Sequence, residues 1–87
     1  MQIEFAERVL REFEYFAKYQ TKTLRKIQAL LQDMQRSPYT GLGKPEALKH
    51  EFSGCWSRRI SDEHRLVYRV DGKRIIILQC RFHYDNR

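Results

Sequence analysis

Eighty-seven residues suffice for one domain with a single core, 1–87, and leave no room for a second; a chain this short hides only about 60% of its unfolded surface. A hydrophobic content of 41% with frequent aromatics excludes an intrinsically disordered chain, and no apolar run approaches the ~20 residues of a membrane span. The formal net charge of +6 is carried as seven basic against five acidic groups over residues 1–43 and ten against six over 44–87. A basic surface concentrates polyanions, so nucleic acid is the leading partner class, with a solvated surface or a docking face for an acidic protein as the plainer alternatives. The opening Met-Gln-Ile-Glu-Phe-Ala-Glu has no signal-peptide pattern, which makes a cytoplasmic protein the expectation. Cys55 and Cys80 lack the close spacing of a metal or redox pair and are expected as free structural thiols.

In chain order, the alternation of Ile3 and Phe5 with Gln2 and Glu4 suggests a short strand. Val9, Phe13 and Phe16 recur at helical spacing, with Leu10 and Ala17 widening the apolar stripe and Arg8, Arg11, Glu12, Glu14 and Lys18 turned away, so a helix is predicted over 6–19. Thr21 or Thr23 is placed to cap a second helix whose Leu24, Ile27, Leu30, Leu31 and Met34 form its buried face, and Ser37-Pro38 ends it. The short connection predicts an antiparallel helical hairpin with its apolar side against a sheet. Residues 38–45 hold two glycines and two prolines and read as a loop, without the glycine spacing and Lys-Ser/Thr pair of a P-loop. Leu48 to Phe52 is expected to begin the main sheet, followed by strands over 56–60, 64–70 and 74–84, with Asp71-Gly72 as a hairpin signal.

Successive strand residues face opposite sides. Even positions from Trp56 onward (Trp56, Ile60, Leu66, Tyr68, Val70, Ile76, Leu78, Cys80, Phe82) read as core, whereas Ser57, Arg59, Ser61, Arg65, Arg69, Gln79, Arg81 and His83 on odd positions read as a cationic face with a histidine in it. That composition suits a site that handles phosphate. The two faces stay coherent only if the hairpins have odd loops or equivalent bulges: Ser61-Asp62-Glu63 setting Arg59 opposite Arg65, and Asp71-Gly72-Lys73 setting Val70 opposite Arg74 and Arg65 beside Gln79. His64, on the core parity, is expected to be structural, as is Trp56.

Four stretches carry a resemblance over nearly the whole chain: Gly-Lys-Pro-Glu followed by Leu-Lys-His, Ser-Gly-Cys-Trp-Ser-Arg-Arg-Ile, Glu-His-Arg-Leu-Val-Tyr, and Cys-Arg-Phe-His-Tyr. Together they resemble the YoeB/Txe toxins of bacterial toxin-antitoxin modules, a branch of the RelE/ParE superfamily. The resemblance implies an α+β, RelE-like fold, two N-terminal helices packed on a curved, mostly antiparallel sheet. It implies a ribosome-dependent endoribonuclease that cuts mRNA in the ribosomal A site and is neutralised by a YefM-like antitoxin whose disordered tail folds over the toxin. A homodimer is a further candidate, and no membrane, metal or cofactor is expected. The family's functional positions fall on Glu46, Arg65, His83 and Tyr84 as catalytic and on Lys49, Arg59 and Glu63 as substrate-binding residues. Many members end at the tyrosine, whereas Asp85-Asn86-Arg87 continue here.

Metal-free RNA cleavage requires that a 2′-hydroxyl lose its proton, that the added charge of the phosphorane be held, and that the departing 5′-oxygen gain a proton. Glu46, the pair Arg65 and Arg59, and His83 supply groups for these three tasks. Arginine suits the middle one because its planar fork stays charged and grips two oxygens, and histidine the last because it exchanges protons near neutral pH. Tyr84 has three open roles: stacking a nucleotide, assisting proton transfer or packing the sheet end. Glu63 either contacts substrate or orients an arginine. Two other classes fit the same fold, a ParE-like toxin that poisons gyrase and a non-catalytic RNA- or antitoxin-binding module, but neither needs an acid and a base beside the arginines.

Overall fold

The computed structural model describes residues 1–83. Among these, the order is β1 (Gln2–Phe5), α1 (Glu7–Tyr19), α2 (Thr21–Arg36), β2 (Glu46–Ala47), a 3₁₀ turn at His50–Phe52, β3 (Trp56–Arg59), β4 (Arg65–Asp71) and β5 (Arg74–Gln79). The strands form one sheet in the order β1-β5-β4-β3-β2. β1 runs parallel to β5, and every other neighbouring pair is antiparallel. The two helices carry the chain from β1 across the sheet to β2 at its far edge, and β3 and β4 return it to β5 beside β1, the long connection that a parallel β1–β5 pairing requires.

Helical spacing decides what the helices bury. Val9 and Phe16 of α1 and Ile27, Leu30 and Met34 of α2 meet Leu66, Tyr68, Ile75 and Ile77 of the sheet in one core, joined by Ile60 and Cys80. The stripe on α1 is narrower than its sequence suggests: Leu10 is 51% exposed, whereas Glu12 is buried. Glu12 is accommodated because its carboxylate accepts the Cys80 N–H at 2.9 Å and two bonds from Arg8. Gln20 alone joins the helices and occupies the cap position of α2. Neither threonine caps the helix backbone; the Thr23 hydroxyl bonds the Gln20 side chain instead.

The β3–β4 hairpin has the expected register, with Arg59 opposite Arg65 and Ile60 N–H bonding His64 O around Ser61-Asp62-Glu63. The β4–β5 hairpin does not. Asp71 pairs with Arg74 and Val70 with Ile75, a two-residue turn over Gly72-Lys73, with Gly72 supplying φ +61. Ile75 and Ile77 therefore face the core in place of Ile76 and Leu78. Further on, Tyr68 pairs with Ile77 but Val67 with Gln79, so Leu78 is the extra residue of a bulge. The bulge reverses the parity, which is why Cys80 returns to the core as expected. It also slides the strands, so that Val67 rather than Arg65 lies beside Gln79, and Gln79, expected on the open face, is buried.

Two further expectations fail for backbone reasons. The stretch 48–52 is not a strand: His50 takes φ +57 and closes a 3₁₀ turn, leaving Glu46–Ala47 as the edge strand. β5 ends at Gln79 instead of continuing through 84, and Phe82, expected in the core, sits at φ +67 with 53% of its surface exposed. No helix among the described residues is long and apolar enough to cross a membrane.

Candidate active site

The open end of the β2–β3–β4 edge carries a cleft of about 170 Å³ lined by Lys44, Glu46, Ser57, Arg59 and Arg65. Register brings these residues together. Glu46 is paired with Ser57 across β2–β3, and Arg59 with Arg65 across β3–β4, so a carboxylate and two guanidinium groups arise from three adjacent strands. Ser57 is almost fully buried, which gives the cleft a floor, while Glu46 and Arg59 are exposed on its rim. Three cations against one carboxylate leave the cleft positive, the polarity an incoming phosphodiester requires.

The turn after β3 completes one side. Arg65 Nη1 donates to Ser61 O at 2.5 Å and to His64 O at 3.1 Å, while Arg59 is ion-paired with Asp62. His83 Nε2 lies 3.0 Å from Asp62 O, and because a carbonyl only accepts, that nitrogen carries the proton. Arg65 and His83 thus bond consecutive carbonyls of one turn. Lys49 precedes the 3₁₀ turn and is exposed, outside the lining of the cleft. Glu63 is exposed at the hairpin tip, 3.9 Å from His64 Nε2, and makes no ion pair with an arginine among the described residues. Tyr84 lies outside the described residues. No group of three His, Cys, Asp or Glu side chains able to hold a metal ion occurs among the described residues.

What holds the Lys44–Glu46 limb in place is a residue that parity reasoning passes over. Arg58, fully buried, points to the core side of β3, where it donates to Asp33 at 2.7 Å, Ser37 O at 2.5 Å, Thr40 O at 2.9 Å and Leu42 O at 3.1 Å. Its Nε reaches the Tyr68 hydroxyl at 3.2 Å, and that hydroxyl donates to Pro38 O at 2.6 Å. The carbonyls at the end of α2 and through the loop are thereby satisfied from within. The loop then passes Gly43, whose carbonyl accepts Arg59 N–H at 2.6 Å, and enters β2. The Leu42 N–H and the Arg58 guanidinium hold the Asp33 carboxyl below the ordinary carboxylate value. A charged residue at a core-parity position beside a tryptophan was the available signal for Arg58; nothing comparable marks Lys44 as part of the cleft.

His64 is structural, as expected. It is buried against Phe16 and accepts the Phe82 N–H at Nδ1, 2.7 Å, which fixes the segment leading into His83. Burial pushes its pKa down from the usual histidine value, opposed by the nearby Glu63.

A family model described as YoeB-like toxin of bacterial type II toxin-antitoxin system matches residues 5–84. A toxin YoeB from Synechocystis sp. is 44% identical over 85 residues, covering 98% of this chain and 99% of that protein. A YoeB/ParE toxin from Agrobacterium tumefaciens superposes with TM-score 0.93 at 42% identity, over 97% of this chain and all (100%) of the other. A Staphylococcus aureus toxin solved as a YoeB-YefM complex gives TM-score 0.87 and, as a YoeB dimer, 0.88, each at 41% identity over 97% of this chain and 98% of that one. With this coverage and identity, the chain belongs to the YoeB-like toxins of bacterial type II toxin-antitoxin systems.

Proposed function

We propose that this toxin is a ribosome-dependent endoribonuclease that cuts mRNA in the A site by metal-free acid-base catalysis. The observation that carries the reading is the positive cleft in which Glu46 stands with Arg59 and Arg65, adjoining the turn that holds Arg65 and His83. Glu46 takes the 2′-hydroxyl proton, and the 2′-oxygen attacks phosphorus. Arg65 and Arg59 hydrogen-bond the non-bridging oxygens as charge builds on them. His83, acting in its imidazolium form, exchanges its Nε2–H bond to Asp62 O for one to the 5′-oxygen and gives it that proton as the P–O5′ bond breaks, returning to neutral imidazole. The products are a 2′,3′-cyclic phosphate and a 5′-hydroxyl. Lys49 and Glu63 extend the contact with substrate, and Tyr84 follows the general acid directly in sequence. A cleft this small and open cannot align an RNA strand alone, so the ribosome supplies the alignment.

A YefM-like antitoxin is the expected inhibitor and a second copy of the chain the expected oligomeric partner, by analogy with the Staphylococcus aureus structures. The setting is the bacterial cytoplasm, where translating ribosomes are found. The test is incubation with programmed ribosomes and mRNA, with and without chelator, and mapping of both ends at each cut. Glu46→Gln and His83→Gln are each expected to slow cleavage by about 10²- to 10⁴-fold while retaining ribosome binding. Gyrase inhibition with intact mRNA, or ribosome binding without cuts, would replace the nuclease reading with one of its rivals.

A further inference from the structure

A second hollow, of about 260 Å³, lies between α1 and the segment after β5, lined by Arg8, Arg11, Glu12, Arg81 and Phe82. Its single carboxylate is already engaged, since Glu12 accepts from Arg8 and from the Cys80 backbone. Among the described residues, the ion pair of Arg11 is an exposed i,i+4 contact with Glu7 at 3.7 Å, of little strength in water. Arg81 is held flat, its guanidinium carbon 3.4 Å from the Tyr15 ring centroid and 4.5 Å from that of Phe82. Its Nε is buried without a hydrogen-bond partner among the described residues. A buried donor with no acceptor carries a desolvation cost, so the described residues leave the hydrogen-bonding capacity of Arg81 unfilled.

Phe82 joins this hollow to the cleft. Its backbone is in the left-handed region at φ +67, a strained conformation for a phenylalanine that persists only where its surroundings impose it. Two bonds impose it: its N–H to His64 Nδ1 at 2.7 Å and its carbonyl from Arg65 N–H at 3.2 Å. The chain thus bonds the cleft through the Phe82 carbonyl while presenting the Phe82 ring, half exposed, against the Arg81 guanidinium in a hollow also lined by Arg8 and Arg11. An exposed aromatic next to arginines is what a single-stranded nucleotide uses, the base on the ring and the phosphate on the fork.

We propose that this hollow is a second RNA subsite, in which Arg11 and Arg81 hold one non-scissile phosphate and Phe82 stacks the adjoining base, with the strand passing along residues 81–83 into the cleft. The proposal rests on the RNA-cleaving reading and extends it to a neighbouring nucleotide.

The experiment titrates the full chain with a fluorescein-labelled 2′-O-methyl RNA decamer, which binds without being cut, at several salt concentrations. In parallel, NMR follows the Arg side-chain Nε–H signals. For the unsubstituted chain, the Arg81 signal is expected to move on titration. Arg11→Ala, which removes an exposed side chain and leaves the core untouched, and Arg81→Gln should each lower the slope of log K against log[salt], and the double variant should lower it by about 0.7, the share of the one phosphate they hold. Phe82→Leu should weaken binding about 5- to 150-fold. Unchanged slopes in both arginine variants would overturn the proposal, as would absence of binding by the unsubstituted chain, or an Arg81 signal that answers poly-glutamate and ignores RNA. Failure of the subsite alone leaves ribosomal cleavage and its KM unchanged in Arg11→Ala; failure of the nuclease reading alone leaves mRNA uncut while the Arg81 signal still answers RNA.

Discussion

Arg58 and Arg59 are chain neighbours with the same side chain and opposite surroundings, because consecutive strand residues face opposite sides. Arg59 lines the cleft, whereas Arg58 is sealed under the loop it satisfies. Arg58→Met should cost about 3–5 kcal/mol by leaving buried polar partners unmatched, read as a fall in the urea midpoint, whereas Arg59→Met should leave that midpoint nearly unchanged. His64 sets a pH limit of a different kind. Its folded pKa is depressed by burial, so below the unfolded value of about 6.5 the unfolded chain binds the proton more readily and stability falls with pH through the folded value. Protonation at Nδ1 also removes the acceptor for Phe82 N–H. Melting temperature should therefore drop as pH falls below about 6.5, and His64→Gln, which keeps an acceptor but does not titrate, should flatten that part of the profile. Asp33, also held below its ordinary value, acts at lower pH: its contribution is present above the unfolded value of about 3.8 and is lost as pH falls through the folded one.

Among the elements, the loop between α2 and β2 does most to place Glu46. At Gly43, φ is +80, and an added Cβ would lie 2.9 Å from Leu30 Cδ2, 3.0 Å from the Arg59 carbonyl and 3.1 Å from Arg58 Cβ. Gly43→Ala should lower stability by about 1–3 kcal/mol and displace the strand carrying Glu46, so cleavage should fall by more than the folded fraction does. Measuring urea midpoint and single-turnover rate on the same preparation separates the two effects. Both helices and the β3–β4 hairpin were legible from apolar spacing and a three-residue turn. The β4–β5 register was not, because the local sequence lets Arg74 stand opposite either Val70 or Asp71, and only packing of Ile75 and Ile77 against the helices selects the second. The Leu78 bulge then reconciles that choice with a buried Cys80. His50 and Phe82, at positive φ without being glycine, left no trace in propensity, since their conformations are imposed by tertiary contacts.

At the scale of the whole molecule, one core is shared by both helices and the central strands, so local openings of the sheet and helices cannot be independent. Urea unfolding should be two-state, with helix loss by far-UV circular dichroism and exposure of the half-buried Trp56 by fluorescence following one curve; separate midpoints would show that the edge carrying β2 and β3 opens first. Apolar periodicity, net charge and the four quoted stretches by themselves determined the fold class, the basic surface and the family, because each depends on residue type at fixed local spacing. Tertiary structure alone decided that Lys44 joins Glu46, Arg59 and Arg65 in the cleft, that Arg58 braces it from beneath, and that Arg81 and Phe82 open a second hollow. Those outcomes depend on register, on one inserted residue and on which side of a strand finds room, and all three are settled by packing between segments far apart in the chain.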